Sequence, residues 1–397
     1  MTVTNTAFYP ISIGQIEDKV EKRFIRERKK VNDCSLPLNF QDDLKVDARG
    51  ITSINGTIPI DLPIRDGCRF LFISSKQSFL THGLHKYPAK FFPELPRWII
   101  ERYSNKGDLV LDPFMGSGTT NVESALTGRN AVGIDVDPFS RLLALVKTTP
   151  LNKDELESSS RQLLHVMKDY HPRYVKELDI PTFPYRDNWF SREILLELTY
   201  IKKSIESLKV SDETKNFFRI CFSSIIRSVS NADDNCTRTV IRKKLEKRVD
   251  PADALKKFAE KILLNVPKVL EFSELYPKDI RMEIPIDMDA RKISYNEGVF
   301  DLAVTSPPYI NAVDYPRTHQ LEIYWLGFEN GSLASLKKEH VGTESVYSTE
   351  YKKLHQIGIK EADKKISSVF RHDPRRAFIA FKYFEDMEKN LEEVHRV

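Results

Sequence analysis

The sequence predicts an α/β fold, a parallel sheet interrupted by a helical insertion, and three features carry that expectation. First, the apolar run at 109–111 ends in Asp112, enters the turn Pro113-Phe114-Met115-Gly116-Ser117-Gly118, and leads into a helix over 121–126. Second, the strand-like run Asn130-Ala131-Val132-Gly133-Ile134 ends in another carboxylate, Asp135. Third, residues 151–277 contain no glycine and repeat apolar residues at helical spacing. That composition suits long helices rather than alternating strands and turns.

Each element has a local reason. Gly116 and Gly118 let the backbone approach a ligand where a Cβ would clash. A carboxylate at the tip of a second parallel strand is where a doubly wound sheet meets ribose hydroxyls. The order strand, Asp, Gly-x-Gly, helix, strand, Asp therefore marks a cofactor site. Upstream, 69–73 reads as a strand, and 81–96, dense in proline and aromatic residues, as a loop that gives way to a helix over 97–103. Downstream, Asp137-Pro138 starts a helix that turns Leu142, Leu143, Leu145 and Val146 toward the sheet. Helical spacing recurs at Leu195, Leu198 and Ile201, and again at Phe218, Cys221, Phe222 and Ile225. Residues 299–304 form a further strand and deliver Thr305-Ser306-Pro307-Pro308-Tyr309 at its carboxyl end, where open α/β sheets bind ligands. The expected division is an N-terminal segment of unclear role (1–75), a cofactor-binding part (76–150), a helical insertion (151–280) and a part bearing the Pro-Pro-Tyr turn (281–397).

Composition narrows the class. A chain of 397 residues can hold a large domain with an insertion and ample core. With 61 basic and 57 acidic residues the net charge is +4, so a nucleic-acid surface must be a local patch. Cys34, Cys68, Cys221 and Cys236 form neither a C-x-x-C pair nor a zinc spacing, which points to a reduced intracellular protein. The start lacks a leader pattern and no stretch approaches 18 apolar residues, so a cytoplasmic chain off the membrane is expected. His82 and His85 lie three apart on a loop without further ligands nearby, and no metal site is expected. Basic residues gather between Lys22 and Lys30, and again from Arg219 to Arg248 with Arg238, Arg242, Lys243 and Lys244. Solvated helix faces account for such runs, but the second is expected to face nucleic-acid phosphates, which supply most of the affinity for such ligands.

Asp112-Pro-Phe-Met-Gly-Ser-Gly-Thr-Thr120 resembles the cofactor motif of the amino-methylating DNA methyltransferases, and Thr305-Ser-Pro-Pro-Tyr309 resembles their catalytic motif. The resemblance covers about 79–150 and 287–326. It implies a Rossmann-like methyltransferase sheet, S-adenosylmethionine as cofactor and double-stranded DNA as substrate. Asp112, Phe114, Gly116, Gly118, Thr119 and Asp135 fall on the cofactor motifs. Tyr87, Lys90 and Phe91 match the segment flanking the methionine end of the cofactor, and Asp289, in Asp-Ala-Arg, matches an acidic motif near the adenine.

The chemistry explains the Ser-Pro-Pro-Tyr turn. An exocyclic amine of cytosine or adenine is a poor nucleophile because its lone pair is delocalised into the ring. Two prolines fix the backbone so that the Pro307 carbonyl can accept one N–H, and the Ser306 hydroxyl offers a second acceptor. Both would stabilise positive charge developing on nitrogen. The rigid Pro308 holds the turn, and Tyr309 gives a face on which an extruded base can stack. Ser306 resembles the residue of cytosine-N4 enzymes, whereas Asp or Asn there resembles adenine-N6 enzymes. Cytosine-C5 chemistry needs a Pro-Cys nucleophile, and none of the four cysteines follows a proline.

The expectation is thus a site-specific DNA (cytosine-N4)-methyltransferase of a restriction-modification system, with a cognate endonuclease as functional partner. Adenine-N6 methylation, or DNA binding by an inactive relic, are the alternatives. In such enzymes the helix over 386–397 runs into further strands, so the sheet is expected to be incomplete, with 299–304 as a bare edge. A second polypeptide could supply the rest.

Overall fold

The computed structural model describes Gly14, Ile16 and residues 45–46, 50–74, 77–242, 247–310, 314–328 and 333–397. Lys243, Lys244 and the basic run at 22–30 lie outside them. A small N-terminal sheet comes first. Strand β1 (Lys45–Val46) pairs antiparallel with β2 (Ile51–Asn55), which pairs parallel with β3 (Arg69–Ile73). The strand expected at 69–73 is therefore present, but it joins this outlying sheet rather than the main one.

Helix α1 (Glu94–Tyr103) leads to β4 (Leu109–Asp112), α2 (Thr119–Leu126), β5 (Asn130–Gly133) and α3 (Pro138–Thr148). Asp137 caps α3 by accepting from the Phe139 and Ser140 amides, with Pro138 in the first turn. The regular elements of the insertion are all helical, and its described residues between 230 and 252 are irregular. It comprises α4 (Lys153–Lys168), α5 (Arg186–Trp189), α6 (Arg192–Glu206), α7 (Asp212–Ile226) and α8 (Asp253–Leu275), with short 3-10 turns between them. Strands β6 (Met282–Glu283) and β7 (Leu302–Ala303) return to the sheet. The remainder is α9 (Tyr315–Thr318), α10 (Gln320–Leu326), α11 (Leu333–Glu339), α12 (Lys360–Phe370) and α13 (Pro374–Arg396).

The main sheet is parallel, in the order β6-β5-β4-β7. From β4 the chain moves to β5 on one side and returns much later as β7 on the other. The carboxyl ends of β4 and β7 therefore flank a topological switch point, the crevice where open α/β sheets take their ligands.

Alternation along the strands divides the core. Val110 and Ala131 face Ile100 of α1 and Val304, while Leu111 and Val132 face Ile293, Val394 and Val397. The largest cluster lies in the insertion, where Phe217, Phe218, Phe222 and Phe258 are fully buried against α3, α6 and α10. Each such side chain contributes about 1.5–3 kcal/mol by leaving water. The insertion is thus a packed body fused to the sheet.

Backbone pairing with β4 extends past β7, since the Asp301 amide donates to Leu109 O at 3.0 Å and Val304 to Leu111 O at 2.9 Å. Among the described residues β7 is an edge strand, as expected, but its apolar faces are not bare. Phe300 packs with Val394 and Val397 on one face, and Leu302 and Val304 meet Phe91 and Ile100 on the other. The Phe300 amide also donates to Val397 O at 3.0 Å, so the end of α13 closes against the sheet. The fourth strand, Met282–Glu283, is too short to carry an alternation signal, and the sequence did not reveal it.

Candidate active site

A cavity of about 500 Å³ opens at the carboxyl ends of β4, β5 and β7. Its size falls within the range of small-molecule sites. One wall is the turn after β4. Asp112 is buried there, and its Oδ1 accepts from the Phe114 amide at 3.2 Å and from the Thr305 hydroxyl at 2.7 Å. Burial pushes its pKa up to about 6 against these stabilising hydrogen bonds.

The two glycines of the turn do different work. Gly116 lines the cavity at φ +49°, and a Cβ on it would touch the Tyr87 ring at 3.4 Å. Gly118 sits at φ +71° away from the cavity wall, and a Cβ there would lie 2.7 Å from the Cβ of Ala144. It allows the close approach of α3, a packing role the sequence did not suggest. Lys147, one turn further along α3 and fully buried, donates to Ser117 O at 2.6 Å and pins the turn from behind.

Asp135, just past β5, accepts from the Gly116 amide at 2.9 Å and the Asp137 amide at 2.8 Å. Its carboxylate joins the two strand ends and still faces the cavity. Burial, with the nearby charge of Asp137, raises its pKa to about 6.

Tyr87, Lys90 and Phe91 line the cavity, as do Phe114 and Thr119. The Tyr87 hydroxyl shares a hydrogen bond with Ser140 at 2.8 Å, and its ring stacks near Tyr315 and His319. The Lys90 ammonium turns to backbone, donating to Gln77 O and to His82 O at 3.2 Å. Asp289 also reaches the wall, but Arg291 engages both of its oxygens, at 2.9 and 2.6 Å. His82 is buried against Glu123 at 2.7 Å, a structural pair.

Ser306, Pro307, Pro308 and Tyr309 form the opposite wall, with Tyr309 63% exposed. Both sequence motifs thus meet across one cavity. Of the expected basic residues, Arg238 reaches its mouth, while Arg242 is exposed and pairs with the buried Asp233 carboxylate at 3.0 Å.

Sequence reasoning missed a third wall, residues 339–346, with Arg317, Lys337 and Arg375 around the mouth. His340 comes within 3.7 Å of Asp137. Burial pushes this imidazole down, but Asp137 and Asp135 outweigh it and hold the pKa above its ordinary value. These residues follow the Ser-Pro-Pro-Tyr turn by some thirty positions and carry no local pattern pointing back to it. Among the described residues no helix is long and apolar enough to cross a membrane.

Comparison with known proteins agrees with this geometry. Residues 65–144 match the N6/N4 DNA methylase family. The Type II methyltransferase M.MvaI of Kocuria varians is 26% identical over 84% of this chain and 78% of its own. M.MjaII of Methanocaldococcus jannaschii is 32% identical over 39% of this chain and 30% of its own, and M.BsoBI of Geobacillus stearothermophilus 25% over 69% and 58%. The chain thus spans less than two thirds of the length of the latter two relatives. No solved structure matches it significantly. The segment that carries the glycine turn thus matches the N6/N4 DNA methylase family, and the relatives to which the chain is similar are type II DNA methyltransferases.

Proposed function

We propose that the chain is a type II DNA methyltransferase of a restriction-modification system, acting on the exocyclic N4 amine of a cytosine extruded from double-stranded DNA. The observation that carries the reading is one cavity bounded by both the glycine turn after β4 and Ser306-Pro307-Pro308-Tyr309 after β7. The family match implies S-adenosylmethionine, and when bound it supplies an electrophilic methyl group on a sulfonium. The residues present suit that molecule. Gly116 leaves room beside Tyr87, and the Asp135 carboxylate faces the cavity with acceptor capacity left for ribose hydroxyls. Tyr87 and Phe91 offer apolar surface near the Pro-Pro turn.

On the opposite wall the Ser306 hydroxyl and the Pro307 carbonyl are the acceptors for the two amine hydrogens. Accepting from both localises the nitrogen lone pair and stabilises the charge that develops there. Tyr309, largely exposed before DNA arrives, offers the stacking face. Arg238, Arg317 and Arg375 at the mouth suit the phosphates flanking an extruded nucleotide. Ser306 favours cytosine by the resemblance of its motif. A cognate endonuclease cutting the same site is the implied functional partner.

The test is transfer of labelled methyl groups to amplified, unmodified duplex DNA, followed by nucleoside separation. Label in N4-methylcytosine is expected. Label in N6-methyladenine would overturn the base assignment but leave the site intact. Cofactor binding without transfer would favour an inactive relic.

A further inference from the structure

The Pro-Pro turn has one degree of freedom that its own sequence does not fix. The rings set φ at Pro307 and Pro308, and each residue that precedes a proline is confined to extended ψ, which limits Ser306 and Pro307. Nothing local limits ψ at Pro308. That torsion sets the direction from the turn to Tyr309. Neither proline has an N–H with which to anchor itself.

The missing restraint comes from the far end of the chain. Tyr383 of α13 donates its hydroxyl to Pro308 O at 2.9 Å. Its helix is well placed to hold it still, because the same face is tied to the loop before β7. Asp386 pairs with Arg291 at 3.1 Å, the Asn390 amide donates to Ala290 O at 2.8 Å, and Glu393 accepts from the Ile293 amide at 2.6 Å. Residues 383, 386, 390 and 393 fall on one stripe of the helix. The third wall abuts the same point, since a Cβ on Gly342 would lie 3.1 Å from Tyr309 O and 3.4 Å from the Tyr383 ring. At the other end of the turn, Thr305 is held by Asp112. Among the described residues these two bonds, one before the prolines and one after, anchor residues 305–309.

We propose that Tyr383 is a positioning residue for methyl transfer, whose hydroxyl fixes ψ at Pro308 and thereby aims Tyr309 at the base. The proposal rests on the function proposed above. It requires no contact between Tyr383 and the substrate, and it leaves the cofactor walls untouched.

Tyr383→Phe tests it, because that substitution removes only the hydroxyl. Two readouts on the full chain are needed. Hydrogen exchange of the free protein is expected to quicken in peptides spanning 305–310 and to stay unchanged over Thr119–Leu126. Turnover on unmodified duplex DNA is expected to fall about tenfold in kcat, with cofactor affinity within twofold, since small misplacement of a reacting group is costly. Unchanged exchange over 305–310 would overturn the proposal whether or not the wild type methylates DNA. Equal losses in kcat and cofactor affinity would also overturn it, because they signal general damage. An inactive wild type with quickened exchange in the variant would refute the proposed function and leave the restraint established.

Discussion

The hydroxyl of Thr305 donates to Oδ1 of Asp112 at 2.7 Å, so the last residue before the Ser-Pro-Pro-Tyr turn is bonded to the first carboxylate of the cofactor turn. The two motifs lie 193 positions apart in the chain and are neighbours only because β7 pairs with β4. A bond to a charged group contributes about 1.5–3 kcal/mol, and here it also opposes the burial that raises Asp112 to about 6. Thr305→Val should therefore raise the Asp112 pKa further and lower the melting temperature, while Thr305→Ser should retain both. Thermal melts of the two variants, with cofactor titrations from pH 5 to 8, would check this. Identical behaviour of Val and Ser would remove the coupling.

Asp135 gives a pH signature with two opposite signs. Its folded pKa, raised to about 6, lies above the ordinary value of 3.8. A carboxylate so raised stabilises the fold fully below its unfolded pKa, and that contribution disappears as pH climbs through about 6. The stability advantage of wild type over Asp135→Ala should thus shrink between pH 4 and 8, by at most roughly 3 kcal/mol. Cofactor binding should run the other way, because only the ionised carboxylate accepts from both ribose hydroxyls. Affinity should fall as pH drops through about 6, and at pH 8 Asp135→Ala should bind at least about tenfold more weakly. Calorimetry on both proteins across that range decides. A wild-type affinity flat with pH would remove Asp135 from the cofactor contact.

What the sequence made legible was whatever lay within one contiguous stretch. Strand β4, its turn, α2, β5 and the capped start of α3 could all be read, because apolar runs, glycines and Asp137-Pro138 are local signals. The Pro-Pro turn was legible for the same reason. Lys147 was not, since a lysine on an amphipathic helix reads as solvated until α3 is seen to turn it under Ser117. Tyr383 and the wall at 339–346 escaped for a related reason. Their partners lie 75 positions away in one case and across the cavity in the other, and no periodicity encodes such pairings. Gly118 was recognised as needing to be glycine, but its close neighbour Ala144 was not foreseen.

That neighbour yields a further prediction. Gly118→Ala would place a methyl 2.7 Å from the Ala144 Cβ at a left-handed φ of +71°. Left-handed backbone at an L-residue costs about 1–2 kcal/mol, and overpacking commonly adds 1–3. Urea unfolding should register a loss of roughly 2–5 kcal/mol in the single variant. The double variant Gly118→Ala with Ala144→Gly should recover only part of the steric cost, because the Cα of residue 144 still lies 3.0 Å from the added methyl, and none of the backbone part. Additive losses would place the collision elsewhere.

The DNA surface can be located by salt dependence. Arg238, Arg317 and Arg375 stand around the cavity mouth, whereas Arg242 is already engaged by the buried Asp233. Each phosphate contact contributes about −0.9 to the slope of log K against log salt. Removing Arg238, Arg317 and Arg375 together should flatten that slope by up to about three contacts and weaken binding to any duplex sequence alike. Arg242→Ala should change the slope little and act mainly on stability, because it strips the partner from a buried carboxylate. Fluorescence anisotropy with a labelled duplex at several salt concentrations separates the two surfaces. A slope that moves with Arg242 and not with the triple variant would shift the DNA path from the cavity mouth to the edge of the helical insertion.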